Sequence, residues 1–335
     1  MSRESQRQRL REMMDRLGLG AVLLGFPANF AWYTGGADNR VDHSDPLGVA
    51  ALLVTLEAEY VVTDNIEASR MREEEPPNFE VVEHPWYEGA ASLYRELSGG
   101  ATLGADFPLE GAWNVSEEIA PLRYVLDAEA IETYRRAGSE TSAAMKDAAA
   151  SLSPGMTEYE AAANLIAACR RRGLITPVVL VAADERIASY RHPIPRGAPI
   201  RRRAMLVVCA ELGGLYVSLT RIVHFEEPDG DFERRQRACE EILRRMREEA
   251  TRPSRTLADA FEDCKRFYAE AGFPDEWRLH HQGGMTGYAA REIIAGPETL
   301  QEIQAGQAFA WNPSITGAKA EETFILTDDE PEVIS

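Results

Sequence analysis

Cysteine is scarce in this sequence: four residues in 335, none in a CxxC pair. Cys169, Cys209, Cys239 and Cys264 are spaced too widely for a zinc knuckle, and the pattern favours buried thiols in a reducing compartment over a disulfide framework. Lysine is scarcer still. Only Lys146, Lys265 and Lys319 stand among 36 basic residues, a compositional bias with no functional meaning of its own. No apolar run approaches the ~18 residues of a membrane-spanning helix. Excess positive charge is also missing. A net charge of -19 opposes phosphate backbones and anionic lipid, so nucleic acid and membrane surfaces are excluded as partners. The first 18 residues form an amphipathic, charged pattern without the apolar centre of a signal peptide, and a cytoplasmic protein is expected.

What is present is ordinary in bulk, with 44% hydrophobic and 27% charged residues, and the length allows two domains. Leu10, Met13, Met14 and Leu17 mark one face of a first helix. Residues 21–24 read as a short strand, 25–36 as a turn-rich aromatic segment, and 49–55 with 60–63 as a hairpin. A helix at 66–74 and strands at 81–82 and 101–106 complete an α/β domain over 1–123. From 127 the pattern changes to a long Ala- and Glu-rich helix, which opens a second domain over 124–335.

That second part repeats itself. Ser153-Pro154-Gly155 breaks the long helix, Thr157 with Glu160 forms a capping box, and Gly173 stops the next helix before strands at 178–182, 205–212 and 215–225. The helix over 231–251 is broken in turn by Pro253. Thr256 with Asp259 caps the next one, and Gly272 stops it at the same spacing from its Thr. This is an internal duplication of a helix-helix-strand-strand unit. Two such halves are expected to join their strands in one curved antiparallel sheet with helices outside and a site between them.

Residues 278–292, RLHHQGGMTGYAARE, hold two of the six histidines beside a glycine run, where imidazole can titrate and backbone can approach a ligand. If the segment is a strand, His280 and His281 alternate and only one faces the site.

In order and spacing these motifs resemble the creatinase and Xaa-Pro peptidase superfamily, the peptidase M24 group with its duplicated pita-bread domain. Asn29-Phe30-Ala31-Trp32-Tyr33-Thr34-Gly35 is similar to the family's N-x-x-Y-L-T-G, and Pro154-Gly155-Met156-Thr157-Glu158 to its P-G-x-T-E. The resemblance implies a smaller creatinase-type domain, a catalytic-type domain and a homodimer. The family's peptidases hold two metal ions with two Asp, one His and two Glu. Here those positions fall on Val207, Ser218, Gly284, Asn312 and Glu321, so one carboxylate survives and neither metal nor cofactor is expected.

The resemblance further implies that His192, in Tyr190-Arg191-His192-Pro193, is the proton carrier of creatinase-like members that lack the metal cage. His280 and Glu321 stand beside it as catalytic positions. Arg221, Arg291, Asn312, His281 and Tyr216 are the implied substrate-binding positions. Three readings follow. The first is a metal-independent hydrolase that cleaves a C–N bond in a small, carboxylate-bearing amino-acid derivative. The second is a non-catalytic binding or assembly protein on a degenerate scaffold. The third is a residual Xaa-Pro peptidase with one metal at Glu321 and His280.

Overall fold

A computed structural model describes residues 4–75, 78–328 and 330–335. The chain divides into two compact units, up to Glu129 and from Ala130 onward. The first contains α1 (Glu4–Leu17), β1 (Ala21–Leu24), α2 (Pro27–Thr34), β2 (Ala50–Thr55), β3 (Glu59–Asp64), α3 (Ala68–Glu73), β4 (Glu80–His84), α4 (Ala91–Leu97), β5 (Leu103–Ala105), β6 (Trp113–Asn114) and α5 (Ser116–Ile119). Its six strands form one mixed sheet in the order β4-β3-β2-β1-β5-β6. β1 pairs antiparallel with β2 and parallel with β5. Both are central and buried on both faces, which is why they read as continuous apolar runs, AVLL and AALLV.

The aromatic segment at 25–36, expected as turns, is helical. Pro27 occupies the first turn, where its missing N–H costs nothing, and Gly35 ends the helix at φ 78°. The period was hidden because Asn29, Phe30, Ala31, Trp32 and Tyr33 are all buried, so α2 has no polar face. Asn29 has a structural task. Its amide donates to Asp106 at 2.7 Å, and the same carboxylate accepts from the Gly25 N–H at 2.7 Å. The motif thereby ties the end of β1 to the end of β5.

The second unit opens with α6 (Ala128–Ala150) and α7 (Glu158–Arg170), followed by β7 (Ile175–Ala183), α8 (Arg186–Ser189), β8 (Arg203–Leu212) and β9 (Leu215–His224). It continues with α9 (Gly230–Arg245), a π turn at Met246–Ala250, α10 (Leu257–Glu270), β10 (Gly283–Thr286) and β11 (Ile293–Ile294). β12 (Ala308–Trp311), β13 (Ser314–Ile315), β14 (Ala318–Lys319), β15 (Glu322–Leu326) and β16 (Pro331–Val333) complete it. Both capping boxes form, Thr157 with Glu160 and Thr256 with Asp259. Each capping threonine also makes an isolated bridge to a later loop, Thr157 to Pro199 and Thr256 to Glu302. The helix starts of the two repeats are therefore anchored alike.

β7-β8-β9 form one antiparallel sheet and β11-β10-β12-β15-β16 another. The two meet where β9 lies beside β15, and there side chains stand in for a regular ladder. Thr323 Oγ1 accepts from the Ser218 N–H at 2.9 Å and donates to the Ser218 carbonyl at 3.0 Å. Period-two alternation sorts β8. Ala204, Leu206, Val208 and Ala210 enter a core with Ala144, Met145 and Ala148 of α6 and Leu165 and Cys169 of α7. Met205, Val207 and Cys209 turn to the other face, and that face bears the cavity described next.

Candidate functional site

A cavity of about 290 Å³ opens on the inner face of the second unit. Val207, Cys209, Ser218, His192, His281, Asn312, Arg291, Lys319 and Glu321 line it. Its walls thus come from both repeats. The loop before β8 brings His192, the segment before β10 brings His281, and β14 with the residues after it brings Lys319 and Glu321.

The histidines meet because their backbones are tied. Arg191 Nη2 donates to Glu276 Oε2 at 2.5 Å and to Thr316 Oγ1 at 3.0 Å, and the Thr316 N–H donates to the same carboxylate at 2.9 Å. Glu276 starts the 3₁₀ turn Glu276–Leu279 that leads into His280. Gln282 fixes the other end. Its amide donates to the His280 carbonyl at 2.6 Å and to the Trp277 carbonyl at 3.1 Å, while its oxygen accepts from the Tyr268 hydroxyl at 2.8 Å.

The expected alternation of the histidine pair does not occur. Strand pairing starts only at Gly283, and both rings turn the same way, stacked with centroids 4.4 Å apart and planes at 24°. His192 meets His280 edge-on at 4.7 Å, with the two Nε2 atoms 2.8 Å apart. One of those nitrogens carries the proton and the other accepts it. Burial, then nearby Lys319, pushes the His280 imidazole down to about 3. Burial, then Arg291, pushes His281 down to about 4. Partial enclosure and Lys319 lower His192 as well. All three rings are favoured as neutral groups.

Glu321 lines the same cavity as His192, but among the described residues it makes no hydrogen bond to a histidine. Its carboxylate accepts from Thr220 Oγ1 at 2.6 Å and pairs with Lys319 Nζ at 3.0 Å and Arg291 Nη2 at 3.3 Å. Burial alone would raise its pKa, but Lys319 and Arg291 outweigh that and hold it at about 2. A carboxylate so held is a poor proton acceptor near neutrality, so it works as an anchor for two cations. Arg291 also donates to Ser218 Oγ at 3.1 Å and to the Ala290 carbonyl at 2.6 Å. Its Nε and the Asn312 Oδ1 are buried without a partner among the described residues.

Arg221 and Tyr216 are not part of this constellation. Arg221 is exposed, donates to the Thr220 carbonyl at 2.9 Å, and lines a neighbouring cleft with Glu240, Arg244 and Glu322. It follows Thr220 in β9, and successive strand residues point to opposite faces. Tyr216 is held through its main chain, its N–H donating to the Gly287 carbonyl at 2.9 Å and its carbonyl accepting from the Tyr134 hydroxyl. Lys319, passed over in the sequence as a rare residue, is the missed member. It is 5% exposed and two positions before the one surviving family carboxylate. A charged residue that close to a buried acid is the signal that could have found it.

The description Metallopeptidase family M24 is matched over residues 132–328, and Creatinase/Prolidase N-terminal domain over residues 6–115. Among curated relatives, a probable dipeptidase PepE from Mycobacterium tuberculosis is 26% identical over 62% of this chain, and the match spans 57% of that protein's own length. A Xaa-Pro dipeptidase from Pyrococcus furiosus is 22% identical over 96% of this chain and 95% of its own. Among solved structures, a prolidase from Pyrococcus horikoshii superimposes with a TM-score of 0.82 at 19% identity, covering 98% of this chain and 97% of the other.

Proposed function

The chain belongs to metallopeptidase family M24, and from that premise we propose that it hydrolyses a C–N bond in a small, carboxylate-bearing amino-acid derivative without a dinuclear metal centre. One observation carries the reading: buried Lys319 and half-buried Arg291 share a single carboxylate, Glu321, in a cavity of about 290 Å³. With neutral histidines around it, the cavity keeps one positive charge in excess, and a substrate carboxylate balances it. The volume suits a molecule the size of an acylated or N-substituted amino acid, with no room for an extended peptide.

The donor set speaks against the family's two-metal centre. Val207, Ser218 and Asn312 offer no carboxylate, and the Lys319 ammonium, paired with Glu321 at 3.0 Å, opposes a pair of cations in the same cavity. Gly284, the position of the family's ligand histidine, has a backbone built for glycine. At φ 150°, a Cβ there would lie 2.2 Å from the Ile293 carbonyl oxygen and 2.8 Å from the Ala295 nitrogen. Restoring the ligand by Gly284→His is therefore expected to destabilise the fold by more than ~2 kcal/mol and to create no two-metal site. Chemical denaturation with elemental analysis checks both; a stable variant holding two equivalents of metal would refute the reading.

In this scheme the attacking water forms the new C–O bond while His192 takes its proton. The C–N bond then breaks, and His192 returns the proton to the leaving nitrogen. Arg291 and Lys319 hold the carboxylate and orient the scissile bond. The reading is tested by incubating the full chain with a panel of N-acyl amino acids, amino-acid amides and N-carbamoyl or guanidino acids, and following amine or ammonia release. Turnover confined to carboxylate-bearing members is expected. Binding without turnover across the panel would move the protein to the non-catalytic reading.

A further inference from the structure

We propose that His192, His280 and His281 form a mononuclear transition-metal site whose open coordination position faces the cavity. One ring nitrogen from each of the three lies within 4.8 Å of the other two. The trio is drawn from two sequence segments. The Arg191–Glu276–Thr316 bonds set both segments before any ligand arrives, so little ordering is left for a cation to impose.

Without a cation the cluster is poorly satisfied. The only bond among the rings is the one between the His192 and His280 Nε2 atoms, while Nδ1 of His280 and Nδ1 of His281 are buried with no partner among the described residues. Buried polar nitrogens left this way cost free energy, and a cation that takes the His281 Nδ1 lone pair recovers part of it, while His280 binds through Nε2 and its Nδ1 stays unpaired. Metal–imidazole bonds of about 2.1 Å place ligand nitrogens roughly 3.3 Å apart in a tetrahedral shell. The close Nε2 pair must then open by about half an ångström, and nitrogens up to 4.8 Å apart must draw together by as much as about 1.5 Å, with the exposed His192 ring the freest to move. The fourth position points to the cavity that His192 and His281 line, where water or an anionic oxygen completes the shell.

The chemistry of the donors decides which metal fits. Three neutral imidazoles favour Cu²⁺, Zn²⁺ and Ni²⁺, whereas Mg²⁺ and Mn²⁺ require oxygen ligands. Lys319 and Arg291 oppose any cation, which further disfavours the weakly binding ions. His280 Nδ1 has no carboxylate or carbonyl behind it, a deficit worth about 10- to 100-fold in affinity, so moderate rather than very tight binding is expected.

The site concerns ligation alone and stands whether or not the hydrolase reading holds. If both hold, metal on His192 occupies the lone pair needed for proton transfer, and Zn²⁺ inhibits. The test uses the full chain without a polyhistidine tag, stripped with chelator and titrated at pH 7.5. Co²⁺ is followed by its visible d–d absorption and Zn²⁺ by calorimetry. One equivalent of each is expected, with Zn²⁺ displacing Co²⁺ and Mn²⁺ failing to compete. His281→Ala and His192→Ala should each abolish the Co²⁺ spectrum with unchanged metal-free melting curves. His224→Ala, outside the cluster, should leave it intact. Should one ring prove necessary for folding, the other variant and the wild-type stoichiometry still decide. No binding at millimolar metal, a spectrum that survives both substitutions, or preference for Mn²⁺ would overturn the proposal.

Discussion

Glu321→Ala is expected to destabilise the protein by about 3 kcal/mol, far more than an exposed Glu→Ala change. Glu321 is the shared counter-charge of Lys319 and Arg291, and its side chain is 4% exposed. Removing it leaves Lys319, 5% exposed, without its ion-pair partner and also frees the buried Thr220 hydroxyl. The effect stays near the lower end for a broken buried pair because the cavity admits water to the ammonium. A double variant, Glu321→Ala with Lys319→Met, should recover part of the loss, since the uncompensated charge goes with the lysine. pH gives an independent check. The folded pKa of Glu321, about 2, lies below the unfolded value of about 4.3. Its contribution is therefore complete above the unfolded pKa and disappears as pH falls from there through about 2. Denaturant midpoints measured across that window should flatten in Glu321→Gln relative to wild type. A wild-type-like midpoint in Glu321→Ala at pH 7 would mean that the two cations find other partners.

What the sequence disclosed and what it hid follow from range. Helices α6, α7, α9 and α10 and the hairpin of β8 and β9 carry their signals locally, in capping boxes, glycine stops and periodicity, and the structure has them within a few residues of the expected bounds. The duplication was legible for the same reason, because Thr157 and Thr256 begin equivalent helices with equivalent boxes. Helix α2 was hidden because burial on all sides erased its amphipathic period. Within the site, His192, His281, Arg291, Asn312 and Glu321 do line one cavity, and His280 adjoins it through His192. Arg221 does not, because strand parity sends it to the neighbouring cleft. The stacking of His280 on His281 depends on a 3₁₀ turn held by Glu276 and Gln282, partners that no local pattern names. The role of Lys319 depends on pairing across a fold, and a lone lysine in a sequence carries no mark of its partner.

His192→Ala is expected to lower kcat by at least ~10²-fold on whichever carboxylate-bearing substrate the release assay identifies, with the fold unchanged. The geometry separates it from the other candidates. Glu321 is held as an ion by two cations and a hydroxyl, so it cannot collect a proton near neutral pH. His280 is more enclosed and does not line the cavity. His192 does line it, is exposed to solvent, and is hydrogen-bonded to His280 across 2.8 Å, so it is the imidazole placed to meet a substrate there. General acid–base transfer accounts for about 10²- to 10⁴-fold, which sets the size of the loss. In the proposed scheme the remaining rate enhancement comes from holding the carboxylate at Arg291 and Lys319, which His192→Ala leaves in place. KM should therefore change much less than kcat. An unaltered melting curve rules out a structural cause, and imidazole added in solution should restore part of the rate to the alanine variant. An unchanged kcat would remove His192 from the chemistry and favour a protein that binds its small acid without cleaving it.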